Sequence, residues 1–383
     1  MTQSILNPAS VEPAPQAWLS SPRWDLSWII APAFITSAVA LAFRPLFENS
    51  SSLPLWAWVS FVLLVDVAHV YATLFRTYFD KQAFKQNRAV LLTIPVACWV
   101  VGALLYSLDG LLFWKALAYL AVFHFIRQQY GFVVLYSRKQ PAALSKFKAL
   151  DHALVYMATL YPMLFWHTHL PRNFNWFIEG DFIEALPQFI TDWALGLYAL
   201  LAVAYVIKEL FLFRATGGYF NVPRNLLIIG TALSWWIGIV TLNSDMAFTM
   251  TNVISHGVPY MALIWLMHHS SAARAADPVP PPAAPSFFER ATQVALTYLP
   301  VFFLVLVGLA FLEEGLWDGL VWREHLSFFP VFAHLPEITD RTILALLIPF
   351  LALPQSTHYV LDGFIWRVRD ASNAWSLWRP AVK

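Results

Sequence analysis

Long apolar runs separated by short polar breaks dominate this chain, and that pattern predicts a set of membrane-crossing helices. A helix needs about 20 mostly apolar residues to span a bilayer, with a range of about 17–25. Ten such runs lie near Leu26–Phe43, Leu55–Phe75, Ala89–Leu108, Leu111–Tyr136, Leu150–Trp166, Ile190–Phe213, Asn225–Leu242, Ala247–His268, Thr292–Leu312 and Thr342–Trp366. The fourth and tenth are longer than a bilayer requires and are expected to tilt or project beyond it. If successive breaks alternate sides, 17 of the 24 Lys and Arg fall on one side: the amino end, 76–88, 137–148, 214–224, 270–291 and the tail from Arg367. The other side holds Arg44, Arg172, Arg323 and Arg341, while Lys115, Arg127 and Lys208 sit within runs. Positive charge is retained on the cytoplasmic side. Both termini are therefore expected there, in a bacterial inner membrane.

The chain divides into a polar amino-terminal segment (1–25), eight helices (26–270), a proline-rich linker (271–291, around DPVPPPAAP), two further helices (292–366) and a basic tail (367–383). The external segments near 167–189 and 313–341 carry Phe174, Trp176, Phe177, Trp317, Trp322, Phe328 and Phe329. They are expected to form short interfacial helices on the outer face. Residues 1–22 have neither a charged start nor a small-residue cleavage site, so no secretory leader is expected. The predicted fold class is an all-α, polytopic integral membrane bundle of about ten helices.

Composition narrows the function. Apolar residues make up 59% of the chain and charged residues 12%, against about 25% charged in soluble domains. A soluble enzyme and a disordered chain are both excluded. With 24 basic and 23 acidic residues the net charge is +1, which leaves no basic excess for nucleic acid. Cys98 is the single cysteine, so neither an internal disulfide nor a thiolate metal cluster can form. No phosphate-binding or serine-nucleophile motif is present, and there is no duplicated half of the kind many transporters carry.

Ionisable side chains at bilayer depth cost roughly 2.5–3.5 kcal/mol each on insertion scales, so those in the runs call for a role. The second run holds Asp66 and His69, with Thr73 and Arg76 on the same helical face. The fourth holds His124, Arg127 and Gln128; the fifth opens with Asp151 and His152, then Tyr156. The eighth holds Asn252, His256 and Tyr260 at intervals of four, then His268 and His269; the tenth holds Gln355, His358 and Asp362. Taken singly, each can be a helix–helix hydrogen bonder. Asp66 or Asp362 can simply neutralise Arg127, His268 and His269 read as a solvated pair, and His167 and His169 read as surface residues. Together they suggest a metal site, because a metal-bound imidazole needs a carboxylate or amide partner on its second nitrogen. His69, His124, His256 and His358 are the expected ligands. Asp66 and Asp362 are expected as ligands or imidazole partners, with His152 in reserve. An imidazole and carboxylate set suits iron, zinc or copper. Arg127 is a candidate for an anionic headgroup, and Tyr156 and Tyr260 for donating to a bound oxygen species.

FHFIRQQYG around His124 and HGVPYMALIWLMHHS (256–270) resemble the histidine segments of the bacterial Brp/Blh-type β-carotene cleavage dioxygenases, and DVAHVYAT around His69 is loosely similar to their early histidine segment. The resemblance covers roughly 40 residues. It implies a polytopic membrane dioxygenase with non-haem iron at His69, His124 and a pair from His256, His268 and His269. The chain departs from that family in lacking the glycine after its early histidine and in adding two C-terminal helices. QSTHYVLDGFIWR, around His358, has no counterpart there.

The expectation is a membrane metalloenzyme, an iron-dependent oxygenase or desaturase-like oxidoreductase. Its partners would be membrane lipids and a lipophilic substrate (a carotenoid, isoprenoid, sterol-like lipid or acyl chain), with a separate electron donor if the reaction consumes electrons. The alternatives are a proton-coupled transporter built on the buried Asp, His and Arg, and a structural or assembly protein.

Overall fold

The computed structural model describes residues 16–48, 51–138, 140, 147–184, 186–272 and 287–365. The expected linker core, the basic tail and most of the amino-terminal segment lie outside these residues. Among the described residues every regular element is helical. In chain order they are α1 (Pro22–Ala42), α2 (Leu55–Arg76), α3 (Lys81–Leu108), α4 (Gly110–Arg138), α5 (Lys148–Thr168), α6 (Gln188–Ala215), α7 (Val222–Thr241), α8 (245–272), α9 (Phe287–Thr297), α10 (Leu299–Trp322), α11 (Arg341–Leu351) and α12 (Leu353–Ile365).

Seven of these, α1, α2, α3, α4, α6, α7 and α10, are long and apolar enough to cross a membrane. An eighth is counted if α11 and α12, bent by 46° at Ala352, form one broken span. α5 and α8 occupy the places of the fifth and eighth expected runs but do not join that group. α3 and α6 are the least buried of the seven helices. Leu92, Val96, Val100 and Leu104 form an exposed stripe at four-residue spacing on α3, and Leu200, Val203, Ile207 and Leu210 form one at three- and four-residue spacing on α6.

Helix starts follow their capping residues. Asp80 accepts from the amides of Gln82 and Ala83 at the head of α3, and Asp340 accepts from those of Thr342 and Ile343 at the head of α11. At α1, Ser21 caps Trp24, while buried Asp25 turns back to accept from the amides of Leu19 and Ser20.

α2, α4, α8 and α12 meet inside the bundle, where α7 is also largely buried. α8 is buried along most of its length, and Tyr260, Met261, Ile264 and Trp265 pack it against α2 and α10. α2 and α8 each contain wide turns bonded i to i+5, at Trp58–Val67 and Thr249–Val253. Such turns re-aim the face that follows them and recur at functional sites. Here they end two residues before His69 and three before His256. Gly257 lets the two helices meet at that level. A Cβ on it would lie 2.8 Å from Val65 Cγ1 and 3.1 Å from the Val65 carbonyl oxygen.

The outer segments differ from expectation. The described residues of 170–187 contain no helix. Phe174 and Phe182 are buried against Trp166, Trp235 and Phe248 instead of lying in an interfacial layer. The other segment first extends α10 to Trp322, then runs irregularly to a single turn at Phe332–His334, with Phe329 fully buried. Aromatic composition alone did not distinguish a cap that plugs the bundle from helices that float on a membrane. His167, expected at the surface, is buried because the Tyr119 hydroxyl (2.8 Å) and the Met163 carbonyl (2.6 Å) take its two ring nitrogens.

A candidate metal centre of four histidines

His69 on α2, His124 on α4, His256 on α8 and His358 on α12 are each no more than 3% exposed. One ligand atom from each lies within 4.8 Å of all the others. The contacts run between Nε2 atoms: His69 to His256 at 3.2 Å, His256 to His124 at 3.0 Å, and His124 to His358 at 3.1 Å. For metal–nitrogen bonds of about 2.0–2.1 Å, ligands at right angles lie about 2.9 Å apart and tetrahedral ligands about 3.4 Å apart. The observed spacings fall between the two.

The opposite ring nitrogens fix where the protons sit. The His69 Nδ1 faces the Val65 carbonyl at 3.2 Å, and a carbonyl only accepts, so Nδ1 carries the hydrogen. Asp66 stands farther off, 3.7 Å from the same nitrogen. The His124 Nδ1 lies 3.3 Å from Asp362 Oδ2. The His358 Nδ1 lies 2.6 Å from Thr73 Oγ1, which lies 2.8 Å from the Tyr260 hydroxyl, which donates to Asp362 Oδ1 at 2.9 Å. One direction of donation satisfies this row: His358 to Thr73, Thr73 to Tyr260, Tyr260 to Asp362. The tautomers are thus assigned from the hydrogen-bond network. They leave bare lone pairs on the Nε2 atoms of His69, His124 and His358. The His256 Nδ1 has no hydrogen-bond partner; its ring is held instead by a parallel stack on Phe125, with centroids 3.6 Å apart. Lone pairs at about 3 Å repel one another, and a cation among them turns the repulsion into coordination. The donor set therefore fits a divalent metal with affinity for imidazole. Asp362 lies on the Nδ1 side of His124 and ends the row from His358, and Asp66 stands outside the hydrogen-bond distance of the His69 Nδ1 that Val65 takes.

The remaining candidates separate from this group. Arg127 donates to the Tyr156 hydroxyl at 2.6 Å and lies over the Tyr130 ring, and His152 packs against the same ring. These three form a cluster of their own between α4 and α5. Arg127 points outward, and no ion pair joins it to Asp66 or Asp362 among the described contacts. His268 is twelve residues beyond His256 on one helix, about 18 Å along its axis, so the two cannot share an ion. His358 takes the place that the family resemblance gave to His268 or His269.

A second polar cluster was not anticipated. Arg224, expected as a loop charge, is 2% exposed at the head of α7. It donates to Glu209 on α6, to Asp151 on α5 at 3.1 Å and to Gln140 at 2.9 Å. Lys208 on α6 donates to Asp151 and lies 2.6 Å from Glu209. Asn225 donates to Glu209 at 2.8 Å, and the Tyr205 hydroxyl donates to Asn225 at 2.9 Å. Two cations here face two anions.

Sequence reasoning also passed over Thr73 as a histidine partner and Glu313 altogether. The spacing of Thr73 four residues after His69 was a usable signal; Glu313 was obscured because the ninth apolar run was ended at Leu312. No protein-family model, no curated protein and no solved structure matches this chain.

Proposed function

We propose that this chain is an integral membrane metalloenzyme in which His69, His124, His256 and His358 hold a non-haem iron ion. In this reading it is an oxygenase or desaturase-like oxidoreductase acting on a lipophilic substrate. The observation that carries the proposal is the convergence of the four Nε2 atoms, with three of the rings held in the tautomer a metal requires. Iron is preferred over zinc or copper because the site lies inside an apolar bundle, where oxidation of an unreactive lipid is the fitting task. Bound iron would supply activation of dioxygen. The chain's own residues hold the imidazoles in place: Val65 through His69, Asp362 through His124, and Thr73 with Tyr260 through His358. The surrounding apolar side chains exclude water. In the same reading the chain crosses a bacterial inner membrane ten times. α5 and α8 cross among the more apolar helices, α11 and α12 form one bent crossing, and both termini are cytoplasmic. Electrons, where the reaction consumes them, come from a separate donor.

The test is metal content, measured by mass spectrometry on protein purified in detergent without chelator. The expected result is about one iron per chain in the wild type, lost in His124→Ala and His358→Ala while both variants stay folded. A wild type that holds no metal and takes up none of iron, zinc or copper overturns the proposal. In that case the row from His358 through Thr73 and Tyr260 to Asp362 becomes a candidate proton path, to be examined by pH-driven flux.

A further inference from the structure

A charged group stands on the outer surface where α4 meets α5. Arg127 is exposed on α4, one turn from Phe123, which is 57% exposed, and on α5 Leu160, 41% exposed, continues the apolar surface beyond Tyr156. One turn the other way, Gly131 leaves open space, since a Cβ on it would meet nothing within 4 Å. Arg127 lies about 16 Å along the axis from the Arg138 end of α4, a helix long and apolar enough to cross a membrane. An arginine at such depth is costly unless something polar meets it. Its guanidinium leans toward the Arg138 end, donating to the Tyr156 hydroxyl at 2.6 Å and lying 4.6 Å from the centre of the Tyr130 ring. Among the described residues no carboxylate pairs with it. A guanidinium carries five N–H donors, and one is used here. The Tyr156 hydroxyl accepts that bond, and its own hydrogen meets no acceptor among the described residues. Every group left to bond at this point is a donor. The Tyr130 and Tyr156 rings, stacked with centroids 5.3 Å apart, hold those donors in place.

We propose that Arg127 and Tyr156 bind the phosphate of an anionic membrane lipid, whose chains lie along Phe123 and Leu160. Donors without acceptors select an oxyanion, and a charged donor strengthens the bond. An ammonium is repelled by Arg127 and finds nothing to accept from it. The adjoining residues 137–148 carry Arg138, Lys139, Lys146 and Lys148 and no acidic residue. A zwitterionic headgroup therefore has no partner for its cationic end, and a net negative one is favoured. Asp151, farther along α5, is already paired with Lys208 and Arg224. A snorkelling arginine ends at the level of the headgroups, which is where the phosphate of a leaflet stands. The inference rests on α4 crossing a membrane and is independent of the metal.

The experiment offers full-length protein in detergent equal amounts of phosphatidylglycerol and phosphatidylcholine with identical chains. Lipid retained per chain is counted by native mass spectrometry, and iron is measured on the same samples. The wild type is expected to retain phosphatidylglycerol about fivefold over phosphatidylcholine. Arg127→Gln is expected to abolish the preference and Tyr156→Phe to reduce it. Arg88→Gln, which removes an exposed charge from α3, is expected to leave it, and so is an excess of inorganic phosphate. Three results would each overturn the inference: equal retention of the two lipids by the wild type, a preference that survives Arg127→Gln, or displacement of the lipid by inorganic phosphate, which assigns the site to a free anion. Metal content is expected to be the same in the wild type and Arg127→Gln. Preference without iron removes the metalloenzyme reading and leaves the lipid site standing; iron without preference does the reverse.

Discussion

The centre between α2, α4, α8 and α12 and the cluster between α5, α6 and α7 both bury polar side chains in an apolar bundle, yet they are completed in different ways. In the second, Asp151, Glu209, Lys208 and Arg224 neutralise one another, and Asn225, Tyr205 and Gln140 take up further valences. In the first, four imidazoles turn their Nε2 atoms toward one point, and the outer nitrogens of three are anchored so that those three present acceptors there. A self-complementary cluster stabilises the fold. A cluster of like donors is a poor internal contact and a good external one. The difference teaches that burial of a polar residue is not in itself a sign of function. What matters is whether the partners present can complete it.

The sharpest way to break the comparison is to remove one ion from the matched cluster. Arg224→Leu leaves Asp151 and Glu209 to share Lys208 alone, with one buried negative charge uncompensated, and is expected to cost about 3–5 kcal/mol. Thermal unfolding in detergent measures it, and metal per folded chain is expected to stay unchanged. A small loss of stability with loss of metal would reverse the assigned roles. Next is Gly257→Val, which drives new atoms into Val65 at the contact of α2 with α8. Overpacking of this kind costs about 1–3 kcal/mol, and here it also separates His69 from His256, so metal content is expected to fall with stability. Thr73→Val keeps the side-chain shape but removes the partner of the His358 Nδ1. A change of this sort typically lowers metal affinity about 10–100-fold, readable by chelator competition, and Thr73→Ser is expected to restore it. The smallest effect is expected from His358→Leu on the stability of metal-free protein. Replacing one of four crowded acceptors by an apolar group of similar size should change it by less than about 1 kcal/mol. A loss as large as that of Arg224→Leu would make the four histidines structural.

Much of this contrast was legible along the chain, but only where both halves of an interaction lie on one helix. His358 and Asp362, His256 and Tyr260, and His69 and Thr73 each repeat at four residues within an apolar run, which marks a shared polar face. Ionisable residues inside apolar runs, His124 with Gln128 among them, pointed to the four histidines. Neither signal found the cross-helix partners: Thr73 meets His358 across 285 residues and Arg224 meets Asp151 across 73, and no periodicity encodes either pairing. Arg224 was misplaced because it begins a helix, where a basic residue before an apolar run normally signals the membrane edge. The wide turns before His69 and His256 escaped for a related reason. No residue pattern in either run marks the change from i+4 to i+5 bonding, and Val65 with Gly257 became visible as neighbours only in three dimensions.

His358 lies 234 residues after His124 and contributes the fourth imidazole from α12. Helices form in the order of synthesis, so a nascent chain holds three of the four imidazoles until α12 has been made. A truncated product keeps three histidines and lacks Asp362 and the acceptance of His358 by Thr73. In the proposed reading an ion meets all four imidazoles only once α12 has joined the bundle.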